Sequence, residues 1–325
     1  MKEFTVSKKE AGTRFDKYLL KILKNCGSGL IYKSLRKKNI TLNDKKADGK
    51  ESLSEGDIIK IFFSDETFEK FSSGNDLNAG KETESIKMPE DFKVPDTIYE
   101  DNDVLILNKP VGVLSQKAKA DDYTITEWLY ERVGMSGTFK PAVCNRLDRN
   151  TSGIIFAGKS IAGLQMLSDC LKSRKVHKYY ITVVCGKVTK KECIEGYLLK
   201  KEAHNTVEIY KENVPGSSFI KTEYEPLCTN DEYTLLKVNL ITGKSHQIRA
   251  HLASIGHPII GDGKYGLRSV NEKFRKKRLT SQLLHAYETV FDKDDDLIEL
   301  SGKNFKAPLP ALFNDIIKNL FNYNL

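Results

Sequence analysis

The chain has 325 residues, with 52 Lys and Arg against 44 Asp and Glu for a formal charge of +8, and it is 39% hydrophobic and 30% charged. That length suits about two domains with a buried core, and without any apolar run of about 18 residues a helical membrane protein is excluded. The opening MKEFTVSKKEAG lacks the apolar stretch of a secretory signal, and six cysteines without a CxxC pair read as free thiols in a reducing cytoplasm, not as a disulfide frame or zinc site.

Charge is uneven along the chain: +7 over residues 1–63, −5 over 64–96 and +6 over 97–325. In RFDKYLLKILK, residues Phe15, Tyr18, Leu19, Ile22 and Leu23 share one helical face. A second short helix is expected from Ser28, as N-cap, to Lys38, with Lys33, Arg36, Lys37 and Lys38 on its exposed side. Ile40 to Leu42 alternates briefly before the Asn43-Asp44 turn, and Gly56-Asp57 turns the chain into a strand over Ile58 to Phe63. The following segment, 64–96, is rich in Ser, Asp, Glu, Lys and Gly and reads as an acidic flexible linker.

The order of elements over about residues 12–63 resembles the small RNA-binding domain named after ribosomal protein S-four. The shared features are Arg14-x-Asp16 at the first helix, a basic second helix, and Gly56-Asp57 before the last strand. Helix cations of this kind meet phosphates without reading base edges. The plainer reading is a solvated face on a small structural domain.

From Ile98 the pattern changes. Val104 to Leu107 is a short apolar strand that ends in Asn108-Lys109-Pro110 and Val111-Gly112. Pro141 to Val143 leads into CNRLDRNTSGIIFAGKS, a charged loop that enters a buried strand over Ile154 to Ala157. Ser160 caps a helix to about Ser173. Strands are expected over Lys178 to Val184 and Thr234 to Leu240, then a helix from Ser245 to Ser254 whose buried stripe is Ile248, Leu252 and Ile255. Two loops therefore gather charge beside buried strands: Arg146-Leu147-Asp148-Arg149 and TGKSHQIRAHL. Cations beside a carboxylate favour its charged form, which suits a nucleophile or base. The plainer alternative is that Asp148 pairs with Arg146 or Arg149 to hold the loop.

NRLDRNTSG resembles the central motif of the RluA family of pseudouridine synthases, usually His-Arg-Leu-Asp-x-x-Thr-Ser-Gly. LNKPVG at 107–112, KYYITVVCG at 178–186, TGKSHQIRAHLASIGHPIIGDGKYG at 242–266 and LLHA at 283–286 resemble further family segments in the same order. Several ordered motifs across about 200 residues are far more specific than one short pattern. The resemblance implies an α+β pseudouridine synthase fold, a mixed, largely antiparallel sheet with flanking helices, preceded by the small S-four-like α-L domain. The division expected is residues 1–63, linker 64–96 and catalytic domain 97–325.

It also implies roles. Asp148 is the catalytic carboxylate, acting either on the anomeric carbon or on the ribose 2′ proton. Arg249 pairs with it, and Tyr180 stacks on the uracil and assists the final proton removal, unless it is only a core aromatic. Arg146 fills the gap left by the flipped base, and Lys109 lines the cleft. Arg14, Lys33, Arg36, Lys37, Lys38, Lys178 and His246 complete the expected RNA-binding set, with KSRKVHK and KFRKKR as phosphate contacts. His246 and His251 are five apart, not the four of a one-face metal pair, and read as structural or RNA-contacting. The isomerisation needs no cofactor or metal. Position 145 is Asn where the motif usually has His, which puts RNA contacts or target choice in question. The expected protein is a cytoplasmic monomer that acts on RNA, most naturally large-subunit ribosomal RNA, with no membrane and no obligate protein partner. Transfer RNA as substrate and a non-catalytic RNA-binding or assembly factor are the alternatives.

Overall fold

The computed structural model describes residues 1–72, 87–201, 205–294, 297 and 299–325. The N-terminal module contains β1 (Lys2–Thr5), α1 (Phe15–Ile22), α2 (Ser28–Arg36), β2 (Ile40–Leu42), β3 (Ile58–Ile61) and α3 (Asp65–Ser72). Its strands form an antiparallel sheet in the order β1-β3-β2. The helical periodicity buries Phe15 and Leu19 of α1, and Leu23 at its C-cap, against Ile31, Leu35, Ile40, Ile59 and Ile61. Full burial of such side chains contributes about 1.5–3 kcal/mol each.

Two local expectations are corrected. Ser28 lies inside α2, and the N-cap is Gly27. The expected linker does not begin at residue 64, because DETFEKFS folds as α3 and returns to the module. Phe68 stacks on Phe4 with centroids 6.1 Å apart, and Phe71 meets Phe63 at 6.0 Å. Two aromatics among acidic residues are a weak periodic signal, and they become legible only against their partners. The stretch 73–86, the middle of the expected linker, lies outside the described residues.

The C-terminal part comprises β4 (Asp96–Glu100), β5 (Val104–Lys109), α4 (Ile125–Val133), β6 (Ala142–Val143), β7 (Ser152–Gly158), α5 (Ile161–Ser173), β8 (Val176–Cys185), β9 (Glu192–Lys201), β10 (Thr206–Tyr210), β11 (Ser218–Thr229), β12 (Tyr233–Leu240), α6 (Gln247–Ser254), α7 (Arg268–Arg275), β13 (Leu284–Phe291), β14 (Asn304–Lys306) and α8 (Ala311–Phe321). Among the described residues the sheet runs β10-β9-β11-β12-β8-β13-β7-β5-β4, with β6 on β7 and β14 on β13. Only the central β13–β7 pair is parallel, so the expected mixed, largely antiparallel sheet is what forms.

Strand β8 is buried on both faces. Tyr180 and Val184 join the core that holds Ile248 and Leu252 of α6, while Ile181 and Val183 face Phe274, Phe313 and Ile317. This explains the largely apolar run from Tyr179 to Cys185, interrupted by Thr182. Ser160 caps α5 as expected, accepting from the Gly163 amide at 3.0 Å. Ile255 does not complete the stripe of α6. It is 37% exposed, because the helix ends at Ser254 and the chain turns away through Gly256 at φ +86°.

The module docks on the C-terminal part through the loop after β1. The Lys9 carbonyl accepts from the Ile161 amide (2.9 Å), and Lys9 Nζ donates to Val133 O (2.8 Å). Buried Glu10 takes hydrogen bonds from Thr138 N (2.6 Å), Thr138 Oγ1 (2.9 Å), Ser7 N (3.1 Å) and Ser7 Oγ (2.7 Å). Burial raises its pKa, but these donors outweigh burial and hold it below 4.5. No helix among the described residues is long and apolar enough to cross a membrane.

Candidate active site

The Asn145–Ser152 loop leaves β6 and enters β7, and nearly every turn of it is pinned. Leu147 plugs the core, its amide donating to Ser115 Oγ (3.1 Å) and its carbonyl accepting from that hydroxyl (2.9 Å). The Thr151 amide closes onto Asp148 O at 3.0 Å, and Gln282 Nε2 holds Thr151 Oγ1 at 3.1 Å. Ser152 Oγ lies 2.8 Å from His285 Nδ1, whose Nε2 is 3.1 Å from Ala307 O. The Asn145 carboxamide accepts from Phe156 N (2.7 Å) and donates to Ile154 O (3.4 Å). Asn145 therefore spends both amide atoms on β7, and its work is to tie the loop down.

Lys109 is corrected. The resemblance places it along the cleft as an RNA contact, yet it is wholly buried, and its Nζ donates to Val113 O (2.8 Å), Pro110 O (3.0 Å) and Arg149 O (3.2 Å). It supports the Asp148 loop from beneath. Burial pushes its ammonium down to about 7, against the opposing pull of Asp148. Between that value and 10.5 the unfolded chain keeps a proton that the folded chain releases, so this residue's contribution to stability rises with pH. In paired urea titrations, wild type should gain on Lys109→Met by about 1–4 kcal/mol from pH 7 to pH 10. A pH-independent difference would contradict the shift.

Asp148 is not paired with its neighbours in the loop. Arg146 and Arg149 are exposed, and Arg149 lies 3.7 Å from Asp122. The partner of Asp148 comes from α6: Arg249 Nη1 donates to Asp148 Oδ2 at 2.7 Å. Arg249 is itself buried, and its other edge is forked on Asp262, Nε to Oδ2 at 2.7 Å and Nη2 to Oδ1 at 2.9 Å. Asp262 has no exposed surface, and its Oδ1 also accepts from the amides of Lys264 (2.8 Å) and Tyr265 (3.1 Å). Burial raises the Asp262 pKa, but Arg249 and those two amides bring it below the usual value. For Arg249 burial works against the charge, and the two carboxylates raise its pKa further. The result is a guanidinium bridge between one sealed carboxylate and one that reaches the surface.

Tyr180 is buried on β8, opposite Val238 and Ala286. Burial, and then the charge of Asp148, push its phenol well above the usual range. The phenol is therefore neutral near neutral pH. Lys178, two residues earlier and on the same face, is half-buried with its Nζ near Gly243, and burial lowers its pKa. His246 caps α6 at φ +55°, with Nε2 3.9 Å from Asp148 Oδ2. His251 is structural: it is buried, with Nδ1 3.0 Å from Thr222 Oγ1. The structure thus brings together Asp148, Arg249, His246 and Tyr180.

The remaining expected RNA contacts lie elsewhere. Lys33, Arg36, Lys37 and Lys38 are exposed on and just after α2, while Arg14 is forked on Asp16 at 2.7 and 2.6 Å. Of the two basic segments, His177 meets Asp292 at 2.9 Å and Lys273 meets Glu232 at 3.1 Å. Sequence reasoning assigned no role to Asp262 or Tyr265. Both lie in the quoted GDGKYG stretch, where Gly and Asp signal only a turn.

The fold matches solved structures. The protein titled Human RNA Pseudouridylate Synthase Domain Containing 4 superposes with a TM-score of 0.56 at 18% identity, over 69% of this chain and 92% of the other. The RNA pseudouridylate synthase family model matches residues 103–254. Proteins named ribosomal large subunit pseudouridine synthase C are similar across most of their length. The one from Vibrio vulnificus (strain CMCP6) is 31% identical over 278 residues, 85% of this chain and 84% of that one. The one from Pasteurella multocida (strain Pm70) is 30% identical over 294 residues, 90% and 86% of the two chains. The chain belongs to the RluA family of RNA pseudouridine synthases, isomerases that convert uridine in RNA to pseudouridine.

Proposed function

We propose that this enzyme isomerises uridine in large-subunit ribosomal RNA, with Asp148 as the catalytic carboxylate. The observation that carries the assignment is the Arg249 bridge, which fixes a partly exposed carboxylate against a fully buried one. An arrangement built only for stability would have no need of the exposed end. The relatives named for large-subunit ribosomal RNA modification support the substrate class. So does the cationic face of α2 on a docked module.

The chemistry follows from the product. The bond between ribose C1′ and uracil N1 breaks, the base turns, and C1′ joins C5. The C5 proton leaves and N1 gains one, so no net redox change occurs. The target base must first leave its stack. Arg146, exposed beside Asp148, takes the vacated space, and Tyr180 stacks on the everted uracil. Asp148 acts at the sugar, either by attack on C1′ or by removal of the 2′ proton. Lys33, Arg36, Lys37, Lys38 and Lys178 meet phosphates. The enzyme works as a cytoplasmic monomer without an obligate protein partner.

The test is tritium release from RNA carrying uridine labelled at C5. Wild type should release tritium from large-subunit ribosomal RNA, and Asp148→Asn should release none above background. Undiminished release by Asp148→Asn would remove the assigned carboxylate. Release from transfer RNA alone would replace the proposed substrate.

A further inference from the structure

Four contacts converge on Tyr265, a residue outside the chemistry described so far. Its hydroxyl accepts from the Val207 amide of β10 at 2.8 Å and lies 3.0 Å from His246 Nδ1. Its own amide donates to Asp262, and its ring carries the Arg249 guanidinium 5.3 Å from the centroid. A phenol has one proton to give. The Val207 N–H can only donate, so the Tyr265 O–H is left to point at His246 Nδ1.

The consequence falls on the imidazole. A neutral imidazole carries one N–H, and the nitrogen that accepts is not the one that donates. With Nδ1 accepting from Tyr265, the proton sits on Nε2, the atom that faces Asp148 Oδ2 at 3.9 Å. Burial lowers the His246 pKa. Asp148 opposes this, Arg249 and Lys264 reinforce it, and Asp262 opposes it in turn. Neutral imidazole is therefore the form present near neutral pH. The left-handed backbone of His246, φ +55° at a non-glycine, costs about 1–3 kcal/mol and marks a residue held in place by its surroundings.

The geometry points to Tyr265 as a positioning residue that locks His246 in the Nε2–H tautomer, so that Arg249 and His246 both address Oδ2 of Asp148 and leave Oδ1 to the ribose. This rests on the reading of Asp148 as the catalytic carboxylate. The ring of Tyr265 also stacks under Arg249, so one side chain orients both groups that face the same oxygen. A carboxylate held by one oxygen presents the other in a fixed direction, which is where orientation lowers a barrier.

The test reads the tautomer directly. Protein labelled with ¹⁵N in histidine is examined without RNA at pH 8 by long-range ¹H–¹⁵N correlation, with His246 assigned by its loss in His246→Gln. Wild type should show a protonated Nε2 and a bare Nδ1, and Tyr265→Phe should shift both nitrogens toward the average of two tautomers. A proton on Nδ1 in wild type would overturn the proposal, as would unchanged His246 shifts in Tyr265→Phe. The tautomer is read from the wild-type spectrum, His246→Gln serving only to identify the signal, and the result stands apart from the Asp148 assignment because no turnover is involved. In the tritium assay, Tyr265→Phe should lose roughly tenfold in kcat with KM nearly constant. His246→Gln, whose amide can donate where Nε2–H did, should keep more activity than His246→Asn. Equal activity of those two variants would count against a donor at that position.

Discussion

Asp262→Ala is expected to lower tritium release by about a hundredfold or more and to destabilise the protein by about 3–5 kcal/mol. The reason is the position of Arg249. Its guanidinium is buried, and two of its three hydrogen bonds to carboxylates go to Asp262. Removing that partner leaves a desolvated charge with Asp148 alone to balance it, and the guanidinium turns toward whatever water can enter. Asp148 then loses its anchor although it has not been touched. Asp262→Asn keeps the shape and one acceptor but not the charge, so it should fall between Ala and wild type. The double variant Arg249→Met with Asp262→Leu removes the buried charge altogether. It should recover much of the stability while remaining inactive. Urea titration and kcat measured on the same preparations check all three. Wild-type turnover by Asp262→Ala would show that the bridge does not serve catalysis.

That residue also shows where sequence reading stops. Asp148 could be singled out because its motif is charged, sits beside a buried strand, and stands in a known order with four other segments. Arg249 followed from the same pattern. Asp262 looks like any acidic residue between two glycines, and its meaning comes from a guanidinium 13 positions away that only the turn after α6 brings back. Lys109 fails in the opposite direction. The resemblance places it along the cleft, and only the loop folded over it turns it into an internal strut. The same holds for the module. The faces of α1 and α2 were legible as local periodicity, whereas β1 pairs with β3 more than 50 residues on, and Glu10 finds its donors at Thr138. Local spacing reports elements and motif order. Buried polar partners belong to tertiary contacts, and no window along the chain contains them.

Gly153→Ala is expected to be strongly destabilising, with a loss of about 3 kcal/mol or more and a clear fall in melting temperature. Gly153 stands where β7 and β13 run parallel, opposite Ala286. A Cβ there would lie 2.2 Å from the Ala286 carbonyl oxygen and 2.6 Å from its amide nitrogen, both main-chain atoms that no rotamer change can move. Its φ of +109° adds backbone strain of about 1–3 kcal/mol for any residue with a side chain. Relief requires the two strands to part, and with them the Ser152–His285 and Thr151–Gln282 hydrogen bonds behind the Asp148 loop. Activity should therefore fall together with stability. Gly29→Ala offers the contrast: a Cβ there meets nothing within 4 Å and φ is ordinary, so the same methyl group should leave stability unchanged or raise it by up to about 1 kcal/mol. If Gly153→Ala melted with the wild type, the close parallel junction could not be what holds the catalytic loop in register.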